Sequence, residues 1–133
     1  MTTLHTRMRL AVLAILLAGA VNTPVSGHHG TAASYDESKQ VTVRGKVTEF
    51  WWRNPHSALF IDAVNDNGER VNWSIEMGSP GVLTRAGWNR RMLGAGDMVS
   101  IVVHPSRAGT PVGVCANPCN VTANGKTLSV REP

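Results

Sequence analysis

Four histidines, His28, His29, His56 and His104, offer the chemistry most readily named in this 133-residue chain. Neutral imidazole is a common protein ligand for copper, zinc and nickel. His28-His29 follows directly on Val25-Ser26-Gly27, a small-residue stretch of the kind at which export signals are cut. A cut there leaves a histidine at the mature N-terminus, which offers a metal both an α-amine and a ring nitrogen. His56, in Asn54-Pro55-His56, and His104, in His104-Pro105, fall beside strand ends. If both ends share one rim and the N-terminus folds onto it, the four imidazoles form a transition-metal site, with copper first by the preference order of nitrogen ligands. The competing reading is structural: His28-His29 as an unbound terminus, His56 bonded within its turn, and His104 capping a strand.

Two further groups carry chemistry. Cys115 and Cys119 are spaced C-x3-C, which in an oxidising compartment predicts a local disulfide and, if reduced, a pair of soft thiolate ligands. Trp51, Trp52, Trp73 and Trp88 are numerous beside two Phe and one Tyr. Strand alternation sends Trp51 and Trp52 to opposite faces, so at least one of them meets solvent or a partner. Trp52 with Arg53 is the candidate binding face for a peptide, glycan or protein partner. The alternative is a core built on Trp73 and Trp88, with Trp51 as a lid. Glu49, Glu76 and Asp97 fall near different turns and form no hydrolytic spacing, and no phosphate loop or nucleophile elbow occurs, so a non-catalytic protein is expected.

The elements that must position these residues begin after a segment with the order of a secretory signal. His5, Arg7 and Arg9 precede the apolar run Leu10 to Leu17, and small residues follow. The run is too short to span a bilayer, which needs about 20 residues. Cleavage after Ala20 or after Gly27 satisfies the small-residue rule, and Pro24 favours the later site. The expected organisation is a signal peptide over 1–27, an N-terminal arm over 28–40 and one domain over 41–133, in a periplasmic or secreted protein. The 106 residues from His28 onward suffice for one modest core. Without Arg7 and Arg9, 11 cations face 9 acids, a net charge of +2 that gives no ground for a nucleic-acid partner.

Val41 to Trp52 alternates as a half-buried strand in which Gly45 invites a bend. Ser57 to Val64 and Glu69 to Met77 flank the turn Asn65-Asp66-Asn67-Gly68 and predict a hairpin. Gly78-Ser79-Pro80 marks a helix start, with Ser79 as cap, and the helix stops at Gly87. A second turn is expected over Trp88 to Leu93. Met98 to Val103 is the fourth strand, and Val114 to Thr122 with Lys126 to Val130 forms a closing hairpin around Asn124-Gly125. A helix between the third and fourth strands predicts an all-β domain with one short helix, a small five- to six-stranded OB-like Greek-key barrel whose closure removes exposed edges.

Several stretches together resemble a family of small exported bacterial proteins of unknown function. They are His28-His29, Val41 through Phe50, Asn54-Pro55-His56, Trp73-Ser74-Ile75-Glu76, Gly78-Ser79-Pro80, Leu83 through Trp88, Leu93 with Gly96-Asp97, and His104-Pro105. The resemblance implies export and a β-rich fold, and no particular activity. The chain departs from the family pattern in having Gly30-Thr31-Ala32 after His-His. Cys115 and Cys119 look like an individual addition.

Overall fold

The alternation read over residues 41–52 folds as strand β1 (Val41–Trp51), and its inward side chains begin with Val43, Gly45 and Val47. The computed structural model describes residues 31–130. The expected signal peptide, His28 and His29 lie outside those residues. After a short helix α1 (Thr31–Ser34) and β1 come β2 (Ala58–Val64), β3 (Arg70–Glu76), helix α2 (Pro80–Arg85), β4 (Met98–Pro105), β5 (Val112–Cys115), β6 (Cys119–Ala123) and β7 (Lys126–Val130).

β1 is shared by two halves of the sheet. Residues 41–46 pair antiparallel with β4, and residues 45–51 pair antiparallel with β2. β2 continues to β3, β3 runs parallel to β5, and β5 returns antiparallel to β4. The circuit β1-β2-β3-β5-β4-β1 is a closed five-stranded barrel with the OB-like strand order, and α2 lies between β3 and β4 as expected. β6 and β7 extend it as a hairpin attached to the first half of β4.

The core is aliphatic. Val47, Leu59, Ile61, Ile75, Ile101, Val103 and Val121 are at most 1% exposed, and they come from alternate positions of their strands, as a period of two demands. α2 adds Leu83, also fully buried. Ser79 caps this helix by accepting the Val82 N–H, Pro80 takes the first helical position, and Gly87 ends it with φ +85°, a conformation that suits glycine. Trp88 then enters the core, held by its N–H to the Leu83 carbonyl.

Two expectations need correction. The run read as one strand from Val114 to Thr122 is two strands, because Ala116-Asn117-Pro118 leaves the ladder; the barrel itself has five strands, as expected, and β6 and β7 are additions to it. The segment Trp88 to Leu93 contains the expected turn, at Arg90-Arg91. The irregularity in β1 is a register shift between Val47 and Glu49, not a bulge at Gly45. Gly45 matters for another reason. A Cβ there would stand 2.0 Å from the Asp62 carbonyl oxygen, so only glycine lets β1 approach β2 where β1 also pairs with β4. Gly45→Ala is therefore expected to destabilise the fold by at least about 2 kcal/mol, a fall in melting temperature on the order of 10 °C by calorimetry. A melting temperature unchanged within error would remove this role.

Candidate functional site

The register shift in β1 decides which aromatic reaches the surface. Up to Val47 the odd residues point inward; after the shift Phe50 and Trp52 pack against the core, and Glu49 and Trp51 point out. Trp51 is 38% exposed. Its ring meets Phe60 of β2 at 4.5 Å between centroids, its Nε1–H donates to the Glu49 carboxylate at 2.6 Å, and the Arg53 guanidinium lies 3.6 Å from the ring centre. Phe60, Trp51 and Arg53, the first two meeting edge to face, form one end of an open groove on the outer face of β2 and β3. Its volume is about 330 Å³, and the loop Arg53 to Ser57, Ser74, Glu76, Val112 and Tyr35 complete its lining.

At the other end of the groove stands a polar cluster of three residues from three elements. The His56 Nδ1 is paired with Glu76 Oε1, and the Tyr35 hydroxyl donates to Glu76 Oε2 at 2.8 Å. Both carboxylate oxygens are thus engaged. Tyr35 is nearly buried and is drawn there by the arm, whose Tyr35 bridges to Ser106 and whose Asp36 N–H donates to the Pro105 carbonyl at 2.8 Å. Burial first, then the hydrogen bond and the negative charge of Glu76, push the Tyr35 phenol up to about 12. Asp36 itself is held below the usual carboxylate range by hydrogen bonds from Ser38 and Lys39.

Beyond His56 and Glu76 a second hollow opens beside α2. It measures about 370 Å³ and is walled by Met77, Val82, Leu83, Val114, Val130 and the Cys115–Cys119 disulfide. Pro55, His56 and Glu76 line both hollows, so the His56–Glu76 pair is the ridge between them.

The two described histidines share a face without touching. Val114 pairs with Glu76 on one side and His104 on the other, which places the latter two a double strand spacing apart, roughly 10 Å between Cα atoms. The His104 Nδ1 lies 2.7 Å from the Lys39 carbonyl oxygen. A carbonyl only accepts, so Nδ1 carries the hydrogen and Nε2 is left as the lone-pair atom in the neutral ring. His56 has the same arrangement, with Glu76 as acceptor. Among the described residues, no three His, Cys, Asp or Glu side chains are grouped to hold a metal ion.

Of the other expected site residues, Arg53 lies in the groove, but Trp52 is half-buried and faces a separate depression with Trp88, Asn89, Arg90 and Arg91. Cys115 and Cys119 form the expected disulfide. Asp97 is structural: the Gly94 N–H, then the Asn124 amide, bond its carboxylate and hold its pKa below the usual range. Among the described residues no helix is long and apolar enough to cross a membrane. Sequence reasoning missed Tyr35 and Trp51 and set Glu76 aside. The signals were there in part: Glu49 falls on the otherwise apolar face of β1, which is the mark of a shifted register, and Tyr35 is the one large apolar ring in a polar arm.

Tyr35 is the chain's only tyrosine, so its ionisation can be followed directly by ultraviolet absorbance. The midpoint is expected near 12, and Glu76→Gln should lower it only in part, because burial is the larger cause of the rise. Because the folded value lies above the unfolded one, the stability this group contributes is present below pH 10 and is lost as pH rises through 12. A midpoint of 10 in the unaltered protein would show that Tyr35 is not docked on Glu76. No curated protein matches this chain. Residues 15–116, more than half of the chain, match DUF6152, a family of unknown function, and the chain belongs to that family.

Proposed function

We propose that this is an exported, non-catalytic binding module that receives an extended ligand in the groove on the outer face of β2 and β3. The observation that carries the reading is the continuity of the two hollows through Pro55, His56 and Glu76. Their volumes fall within the roughly 300–1,000 Å³ of ligand sites. By fold-level analogy, OB-type barrels use this same face and the adjoining loops for recognition. A binding role is favoured because His56 and Tyr35 each hold one oxygen of Glu76, which fixes the carboxylate as a rigid acceptor with a lone pair on each oxygen left for a ligand donor. The signal-like segment and the disulfide favour a periplasmic or secreted location, with a partner in the cell envelope.

Hydroxyl-radical footprinting tests the groove. In intact envelopes, Trp51 and Phe60 should be protected relative to the purified protein. Met98, 55% exposed elsewhere on the barrel, should label equally in both. Equal labelling of Trp51 in the two samples, or equal protection of Met98, would remove the groove as the binding face.

A second reading, transition-metal binding with copper foremost, is favoured by one specific observation. Both His56 and His104 have Nδ1 bonded to an acceptor, and such a bond fixes an imidazole so that it offers Nε2 to a metal. Its remaining ligands would be His28 and His29. A single ion bound by His56 and His104 together would need their Nε2 atoms within about 4 Å of each other, since metal–nitrogen bonds are about 2 Å long. Mature protein with its authentic N-terminus should then take up one equivalent of Cu(II), and the His56→Ala, His104→Ala double variant should bind at least tenfold more weakly. Equal affinity in the double variant would end the shared-site reading.

A further inference from the structure

The groove presents two unlike recognition elements on either side of one polar ridge. The first is Arg53. Its guanidinium is stacked on the Trp51 ring at 3.6 Å, with Phe60 supporting that ring, and the side chain is exposed. Stacking occupies the flat face of a guanidinium and leaves its N–H edge for a planar anion. Among the described residues no carboxylate pairs with Arg53. Glu49, the nearest acid along the strand, is bonded to the indole N–H and lies outside the groove's lining. The stack therefore holds an arginine in a defined pose with its donors unspent.

The second element is the hollow beyond the ridge, where half-buried Val82, Val114 and Cys115 offer apolar surface over the buried Met77, Leu83 and Val130, with Ser79 and Asn117 also in the lining. Such a surface rewards an apolar side chain at roughly 25 cal/mol per Å² removed from water. Between the two elements His56 and Glu76 offer only polar atoms, so whatever crosses them must be able to form hydrogen bonds there. An alkyl chain running from a carboxylate into the hollow would desolvate this pair without replacing its water. A sugar chain could cross it, but has no aliphatic group of the right kind for the hollow.

Resting on the groove reading above, we propose that the ligand is a peptide segment in extended form. It places a carboxylate on the Arg53 guanidinium, its backbone amides over His56 and Glu76, and an apolar side chain against Val82, Val114 and the Cys115–Cys119 disulfide. Bidentate carboxylate binding by arginine gives the acid specificity, and the hollow gives the apolar specificity.

The test uses the full chain as exported and a displayed library of random heptapeptides. Enriched peptides should pair Asp or Glu with Leu, Ile, Met or Phe a few residues away. A synthetic, fluorescently labelled member should bind at least tenfold more weakly to Arg53→Ala, and more weakly to Arg53→Lys, which keeps the charge but loses the planar fork. Asp→Asn or Glu→Gln in the peptide should weaken binding to the unaltered protein and make no difference to Arg53→Ala. Laurate and a neutral oligosaccharide, tested as competitors at equal concentration, should not displace the peptide. Enrichment without acidic residues, or full binding to Arg53→Ala, would overturn the proposed ligand class while footprint protection of Trp51 keeps the groove. Displacement by laurate or by the oligosaccharide would overturn it in favour of those ligands. Loss of footprint protection strikes the groove itself.

Discussion

One strand has to close the barrel, and every feature of the groove follows from how β1 does so. It pairs with β4 through residue 46 and with β2 from residue 45, so the chain must turn sharply across the barrel corner. Glycine at 45 permits the close approach, and the register shift after Val47 bends the strand and increases its twist. The shift also exchanges the faces of all later residues. Without it Trp52 would point outward and Trp51 into the core, and the sequence Trp-Trp-Arg would present a different surface. The stacked Trp51–Arg53 pair is thus a consequence of barrel closure rather than a local arrangement.

The arm depends on the same geometry from the other side. Tyr35 reaches Glu76 across the end of β4 and β5, and Asp36 bonds to the backbone at Pro105. Three of the stretches that carry the family resemblance supply these contacts: Asn54-Pro55-His56, Trp73-Ser74-Ile75-Glu76 and His104-Pro105. The Ser57 N–H to the Gly78 carbonyl brings in a fourth, Gly78-Ser79-Pro80. Stretches far apart in the chain meet on one side of the barrel, with Glu76 the atom-level junction between arm, loop and sheet.

Much of this architecture was legible because its signals are local. Ser79-Pro80 and Gly87 bracket a helix by capping chemistry alone, Asn65 to Gly68 makes a turn for any neighbours, and the alternation in β2 and β3 needs no tertiary information. What was not legible depends on pairing between distant strands. The split between β5 and β6 follows from how β4 is shared between them, since β4 pairs with β6 at residues 99–101 and with β5 at 103–105. The partner of Glu76 could not be read from spacing either, because Tyr35 lies 41 residues away and His56 lies on another loop. Charge on the wrong face at Glu49 was the one sequence clue to the register shift.

The split of β5 from β6 bears directly on the apolar hollow. A continuous strand opposite β4 would bring its side chains against α2 and fill that space. Instead Ala116 to Pro118 leaves the ladder, the Ala116 N–H keeps one bond to the Val102 carbonyl, and the disulfide joins the two strand ends across the gap. A loop this short restricts the unfolded chain only modestly, by about 2 kcal/mol in the chain-entropy view. Its larger effect is positional: it fixes Cys115 and Cys119 as a wall of the hollow beside the half-buried Val114. Close packing is the rule in protein interiors, and an apolar hollow left unfilled forfeits dispersion contacts along its whole lining. A barrel with so small a core has little reserve for such a loss, so a covalent link that holds the hollow open is better explained by something that enters it than by the stability of the barrel alone.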